Sequence, residues 1–143
     1  FYNLFDSKEQ VILSVVREAI TAVDPNPEGS GDEHLTPLVD AYVGFVMLQP
    51  ELARVYFLVA LSGGLTDSKI RARVVRHHEE RIDRFSTAHL RDRPDLSPEE
   101  ATRRIEALLA ALNGYALHWL IEPEFDLKGH VRTLLSFEQE FQR

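Results

Sequence analysis

The 143-residue sequence contains no cysteine. That absence excludes disulfide scaffolds, thiolate metal sites and cysteine nucleophiles, and it fits a reducing compartment. A basic surplus is missing too: 16 basic residues stand against 23 acidic ones, a net charge of −7. Free-standing nucleic-acid-binding domains are ordinarily basic, so this body is not expected to hold DNA by itself. No secretory leader is read, because Phe1-Tyr2-Asn3-Leu4-Phe5-Asp6 places no basic segment ahead of an apolar run. The longest apolar stretch, Ala107 to Ile121, is interrupted by Asn113 and His118 and falls short of the roughly 20 residues a membrane span needs. The expectation is a cytoplasmic protein with no membrane partner. Catalytic patterns are missing as well. No nucleophile–base arrangement, glycine-rich phosphate loop or paired-carboxylate pattern stands out, and Gly63-Gly64 reads as a helix stop. Neither an enzyme nor a cofactor is expected.

What is present is helical. Hydrophobic residues make up 44% and charged residues 27%, close to globular averages. A chain of this length can bury roughly 70% of its unfolded surface, enough for an ordinary core in one domain. Apolar residues recur at three- and four-residue steps, and no strand is read. The expected fold class is all-α, with six helices. The first spans about Lys8 to Val23, capped by Ser7 with Gln10 completing a capping box, and turns Val11, Val15, Val16, Ala19 and Val23 to one side. A polar, glycine-containing loop follows from Asp24 to Glu33. The second helix opens at Thr36-Pro37 and runs to about Leu48; the third spans Pro50 to Leu61. The fourth runs from about Asp67 to Arg91, with Thr66 as its candidate cap. The fifth opens on Ser97-Pro98-Glu99-Glu100, which combines an N-cap, a first-turn proline and a capping-box glutamate, and ends at Ile121 before Glu122-Pro123. The sixth follows Asp126. Ala41 to Leu48 and Val55 to Leu61 contain no charge, so the second and third helices are expected in the interior, wrapped by the others.

Three clusters are candidates for function. At about 100° per residue, Ile70, Val74, Val75, His78, Ile82 and Phe85 share one arc of the fourth helix, with Arg81 inside it and His77 pointing away. A histidine among apolar side chains needs a hydrogen-bond partner or a ligand, so His78 is either a bonded core residue or a polar handle in a pocket. The aromatic residues of four helices either form core or surround a gap. In the second case the pocket comprises Tyr42, Val46, Tyr56, His78, Ile82, Phe85, Tyr115 and Trp119, and suits a flat or hydrophobic small molecule. A metal reading of His77-His78-Glu79-Glu80 is weak, because adjacent histidines diverge by about 100° and the i, i+4 ligand spacing is absent. The fifth helix has two apolar sides. Ile105, Leu108, Leu109, Leu112, Tyr115 and Trp119 are large and suit the core. Ala107, Ala110, Ala111 and Gly114, with His118 beside them, admit close approach by another helix, either within the monomer or across a dimer. The sixth helix offers Val131, Leu134 and Leu135 to the same contact.

Two segments carry a resemblance. Phe1-Tyr2-Asn3-Leu4-Phe5-Asp6-Ser7-Lys8-Glu9 is similar to the end of the recognition helix and the start of the next helix in regulators of the tetracycline-repressor (TetR) family, through Tyr2, Phe5, Ser7, Lys8 and Glu9. Gly114-Tyr115-Ala116-Leu117-His118-Trp119-Leu120-Ile121-Glu122-Pro123-Glu124-Phe125-Asp126-Leu127 resembles the junction of the last two helices in many actinobacterial members. The resemblance implies that residues 1–6 end a DNA-recognition helix and turn, most of whose helix-turn-helix head is absent from the chain, and that 7–143 form a ligand-binding and dimerisation domain. It implies a repressor that is a homodimer through its last two helices and releases operator DNA on binding a small-molecule effector. Tyr2 and Lys8 would then contact phosphate; a first helical turn, with free backbone N–H groups, favours an anion. Two other readings remain open: a helical binding module without DNA binding, and a small helical metalloenzyme using His77, His78 or His118.

Overall fold

The computed structural model describes residues 4–23, 34–66 and 68–140, and the side chains of 8–23, 34–62 and 69–137. Every element in it is an α-helix: α1 (Leu4–Val23), α2 (Leu35–Leu48), α3 (Pro50–Thr66), α4 (Ser68–Asp92), α5 (Pro98–Ile121) and α6 (Leu127–Glu140). The order and number match the expectation, and the differences lie at the helix ends. α1 is already helical at Leu4, the first described residue, and passes straight through Ser7, so the Ser7–Gln10 box does not open it. α2 begins at Leu35 rather than after Thr36. Pro37 is tolerated there because first-turn N–H groups have no intrahelical acceptor to lose. The capping acceptor comes from the end of α4: the Leu35 N–H donates to Asp92 Oδ2 at 3.2 Å. Nothing in the local sequence of α2 announces that partner.

Gly63 and Gly64 do not stop α3, which continues to Thr66. A glycine inside a helix costs about 1 kcal/mol, a weak signal that becomes a stop only with a left-handed C-terminal cap. The Ser97 and Asp126 signals act as expected. Ser97 Oγ accepts from the Glu100 N–H at 3.1 Å with Pro98 as the first helical residue, and Asp126 Oδ1 accepts from the Gly129 N–H at 3.1 Å at the start of α6.

α4 is the hub. It packs along α5 and α3 and also touches α1 and α2, while α6 lies against α5 and α2. The core sits where α2 and α5 meet these neighbours: Leu38, Val39 and Val46 of α2 and Ile105, Leu109, Leu112 and Ala116 of α5 are essentially solvent-free. α2 is interior, as its lack of charge implies. α3 is not. Ala53, Tyr56, Phe57 and Ala60 face inward or are half-buried, but Val55, Leu58 and Leu61 are exposed, Leu58 to 64%. A charge-free helix need not be enveloped; α3 lies at the edge with one apolar face outward. No single helix among the described residues is long and apolar enough to cross a membrane. α2 and the first part of α3 are so only when taken together, and they meet at a bend of 102°.

Candidate functional site

An apolar cavity among the helices has a volume of about 300 Å³, at the lower end of the range for small-molecule sites. Its wall is assembled from four helices and one residue of a fifth. α1 contributes Ala19 and Val23, α2 Tyr42 and Phe45, and α3 the stripe Ala53, Tyr56, Phe57 and Ala60, at the i, i+3, i+4, i+7 spacing of one helical face. α4 contributes Val74, Val75, His77, His78 and Arg81, and α5 contributes Asn113.

The rotation of α4 about its axis differs from the expectation. His77 is the buried histidine, 7% exposed, and its ring meets Tyr56 edge to face at 5.9 Å. His78 is exposed and stands at the rim of the cavity, as does Val75. The inward face runs through Ile70, His77, Arg81, Phe85 and Ala88. Apolar counting kept Ile70, Arg81 and Phe85 on the inward arc but turned its centre to His78, because it treated His77 as an outward residue. His77 and Arg81 both have apolar stems or ring edges that pack well when their polar atoms are accommodated.

Of the other expected pocket residues, Tyr42 and Tyr56 line the cavity. Val46 is sealed in the core. Phe85 is buried below Arg81 and borders a smaller void of about 90 Å³. Ile82, Tyr115 and Trp119 are half-buried against the core, away from the cavity wall. Phe45 and Phe57 belong to the aromatic set that could surround a gap, whereas Ala19, Val23, Ala53, Ala60 and Asn113 were not anticipated. The α3 stripe was legible from its spacing; Asn113 and the α1 residues were not, because only helix packing turns them to the same space.

The polar groups of the cavity are few and close together. Tyr42 Oη donates to Asn113 Oδ1 at 2.7 Å. Burial pushes the Tyr42 and Tyr56 phenols above their usual range, against a smaller opposing pull from Arg81. The Arg81 guanidinium carbon lies 4.8 Å from the centre of the Tyr42 ring and 5.4 Å from that of Phe85. Burial pulls the Arg81 pKa down, against a smaller opposing effect of the Tyr42 and Tyr56 phenols.

The remaining expected residues fall elsewhere. Tyr2 lies outside the described residues. Lys8 is exposed on α1, beyond the first described turn. On α5, Ala107, Gly114 and His118 are exposed and Ala111 is half-buried. A methyl group at Gly114 would meet nothing within 4 Å. Leu117 (47% exposed) and Ile121 (70%) extend the same stripe and were missed, although the three- and four-residue steps from Ala107 lead to them. On α6, Val131 is a core residue, not a surface one, and Leu134 and Leu135 pack half-buried against that core. This follows from α6 using Leu127 and Val131 to close the bottom of the α2–α5 core.

His118 takes part in a ring stack: His118 lies 4.0 Å from Phe125, which lies 4.4 Å from His130. Among the described residues no three His, Asp or Glu side chains are grouped so as to hold a metal ion. Fold and cavity together define an all-α protein with an internal apolar chamber and a small polar cluster on its α2–α4 wall. Compared with protein-family models, curated proteins and solved structures, the chain matches none.

Proposed function

We propose that the chain is the effector-binding and dimerisation part of a cytoplasmic, ligand-responsive transcription regulator of the TetR type, acting as a repressor. The observation that carries the reading is the cavity itself: about 300 Å³, apolar, and walled in part by Ala19 and Val23 of α1. In the resemblance, α1 follows the DNA-recognition helix, so an occupant that presses on Ala19 and Val23 acts on the element joined to the DNA-reading head. Release of operator DNA requires that the ligand bind one tilt of α1 better than the other; tight binding alone shifts nothing.

The exposed stripe Ala107, Ala110, Gly114, Leu117 and Ile121 supports a second part of the reading, a homodimer through α5. Small residues in its middle let a partner helix approach closely, and the large ones at its end supply apolar area to bury. Because the space around Gly114 is open in the monomer, Gly114→Glu is expected to leave the helical fold intact while giving monomers in sedimentation. A twofold-symmetric dimer reads a palindrome with half-sites about one helical turn, or a multiple of one, apart. Selection from a random duplex library with the complete gene product is therefore expected to enrich such a palindrome. Lys8→Ala should weaken all sequences alike and lower the salt slope by about one. A monomeric wild type at micromolar concentration, or no enriched palindrome, overturns the proposal.

A further inference from the structure

Arg73, His77 and Arg81 stand at i, i+4 and i+8 on α4, one row of basic side chains along the buried face, with about 6 Å of rise between neighbours. Arg81 Nη2 and Arg73 Nη1 are shut off from solvent and meet no hydrogen-bond acceptor among the described residues. Tyr42 and Phe85 cover the faces of the Arg81 guanidinium. A ring beneath a guanidinium satisfies its π-face only; the in-plane N–H donors still require acceptors.

Among the described residues no acceptor bonds these two nitrogens. Tyr42 turns its ring face to Arg81, while its hydroxyl bonds Asn113. Glu80, which borders the smaller void behind Arg81, pairs with Arg76 at 3.7 Å. Among the described residues that line the main cavity there is no aspartate or glutamate, although the chain carries 23 acidic residues and a net charge of −7. An acidic protein thus keeps the described wall of this cavity free of carboxylates and places on it a half-buried cation, one of whose nitrogens is shut off from solvent. A buried guanidinium with unmet donors is costly unless an anion completes it.

We infer that the cavity takes an organic carboxylate: an acid head group seated in the plane of the Arg81 guanidinium beside His77, with a flat or alkyl body against Ala53, Phe57 and Ala60. The inference rests on the effector-binding reading and sharpens it by giving the ligand a charge. It also replaces His78 with Arg81 as the principal polar contact. An Arg–carboxylate pair is bidentate and charge-assisted, which selects for both charge and planarity. A neutral amide of the same shape offers one acceptor and no charge, and an amine offers none.

Three probes of one shape separate these cases: 2-naphthoate, 2-naphthamide and 2-naphthylmethylamine, each titrated calorimetrically into the whole protein at neutral pH. The acid is expected to bind at least about tenfold more tightly than the amide, the range a charge-assisted hydrogen bond adds, with the amine weakest. Arg81→Met, which keeps the bulk and removes the charge, should erase the acid's preference while retaining the amide; Arg73→Met should reduce the preference less. Naphthoate should raise the melting temperature of the wild type and not of Arg81→Met. Equal affinities for acid and amide, tighter binding of the amine, or no binding of the acid at millimolar concentration overturns the inference. DNA release by the amine and not by the acid would overturn it while leaving the regulatory reading intact. Tight acid binding with no palindrome enriched would do the reverse.

Discussion

α4 and α5 are the two longest helices, they pack along each other, and both have two usable faces, yet only one could be oriented from its sequence. In α5 the buried positions are Ala101, Ile105, Leu108, Leu109, Leu112, Ala116 and Leu120, all aliphatic, at steps of three and four. In α4 the buried positions include His77, Ser86 and His89, Arg81 faces the cavity, and Val75 is exposed. Apolar periodicity reports the buried face only when burial is achieved by apolar residues. Where long cations and imidazoles are buried for another purpose, the pattern rotates away from the truth. That mismatch is itself informative, because polar groups are kept inside at a cost that a packing role alone does not require.

The largest effect expected from testing this contrast is on the α5 side. Leu112 is wholly buried at the centre of the core. Leu112→Ala should lower unfolding free energy by about 2–5 kcal/mol, read by urea denaturation. A loss under 1 kcal/mol would mean that α5 does not carry the core. On α4 the paired substitutions His77→Ala and His78→Ala decide its rotation. The first removes a buried ring packed on Tyr56 and should cost about 1–3 kcal/mol; the second, at an exposed site, should stay within about 0.5 kcal/mol. The reverse order would restore the arc centred on His78. Smaller still is the end of α4, where Asp92 caps α2. Asp92→Ala should cost about 0.5–2 kcal/mol and increase amide exchange in the first turn of α2, at Leu35 above all. If exchange there is unchanged, the cap is not made in solution.

The smallest effect lies in the turn joining the two helices. Hydrogen bonding from Arg93 holds the Asp95 carboxyl down at about 2, against an ordinary value of 3.8. A depressed acid contributes stability above its unfolded pKa and loses it as pH falls through the folded one. Asp95→Asn should therefore lower the melting temperature slightly at pH 6, and the difference should shrink as pH falls from about 4 and vanish only below about 2. The pair is solvent-exposed, so the shift should be at the limit of calorimetric detection.

The residues themselves determined that the described chain is helical, the number and order of those helices, and where the sharp boundaries at Ser97, Ile121 and Asp126 fall. Those follow from capping chemistry and three-and-four spacing, which are local. The large face of α5 was legible for the same reason. The start of α2 was not, since its capping carboxylate comes from Asp92, 57 residues away. Nor was the interior of α4. Whether His77 or His78 turns inward, whether Arg81 meets water or the rings of Tyr42 and Phe85, and whether Ala19, Tyr56 and Asn113 share one space all depend on how helices dock. Docking is set by the summed fit of many side chains from distant segments. The tertiary structure alone decided that a cavity exists and that its wall, among the described residues, holds Arg81 and no carboxylate.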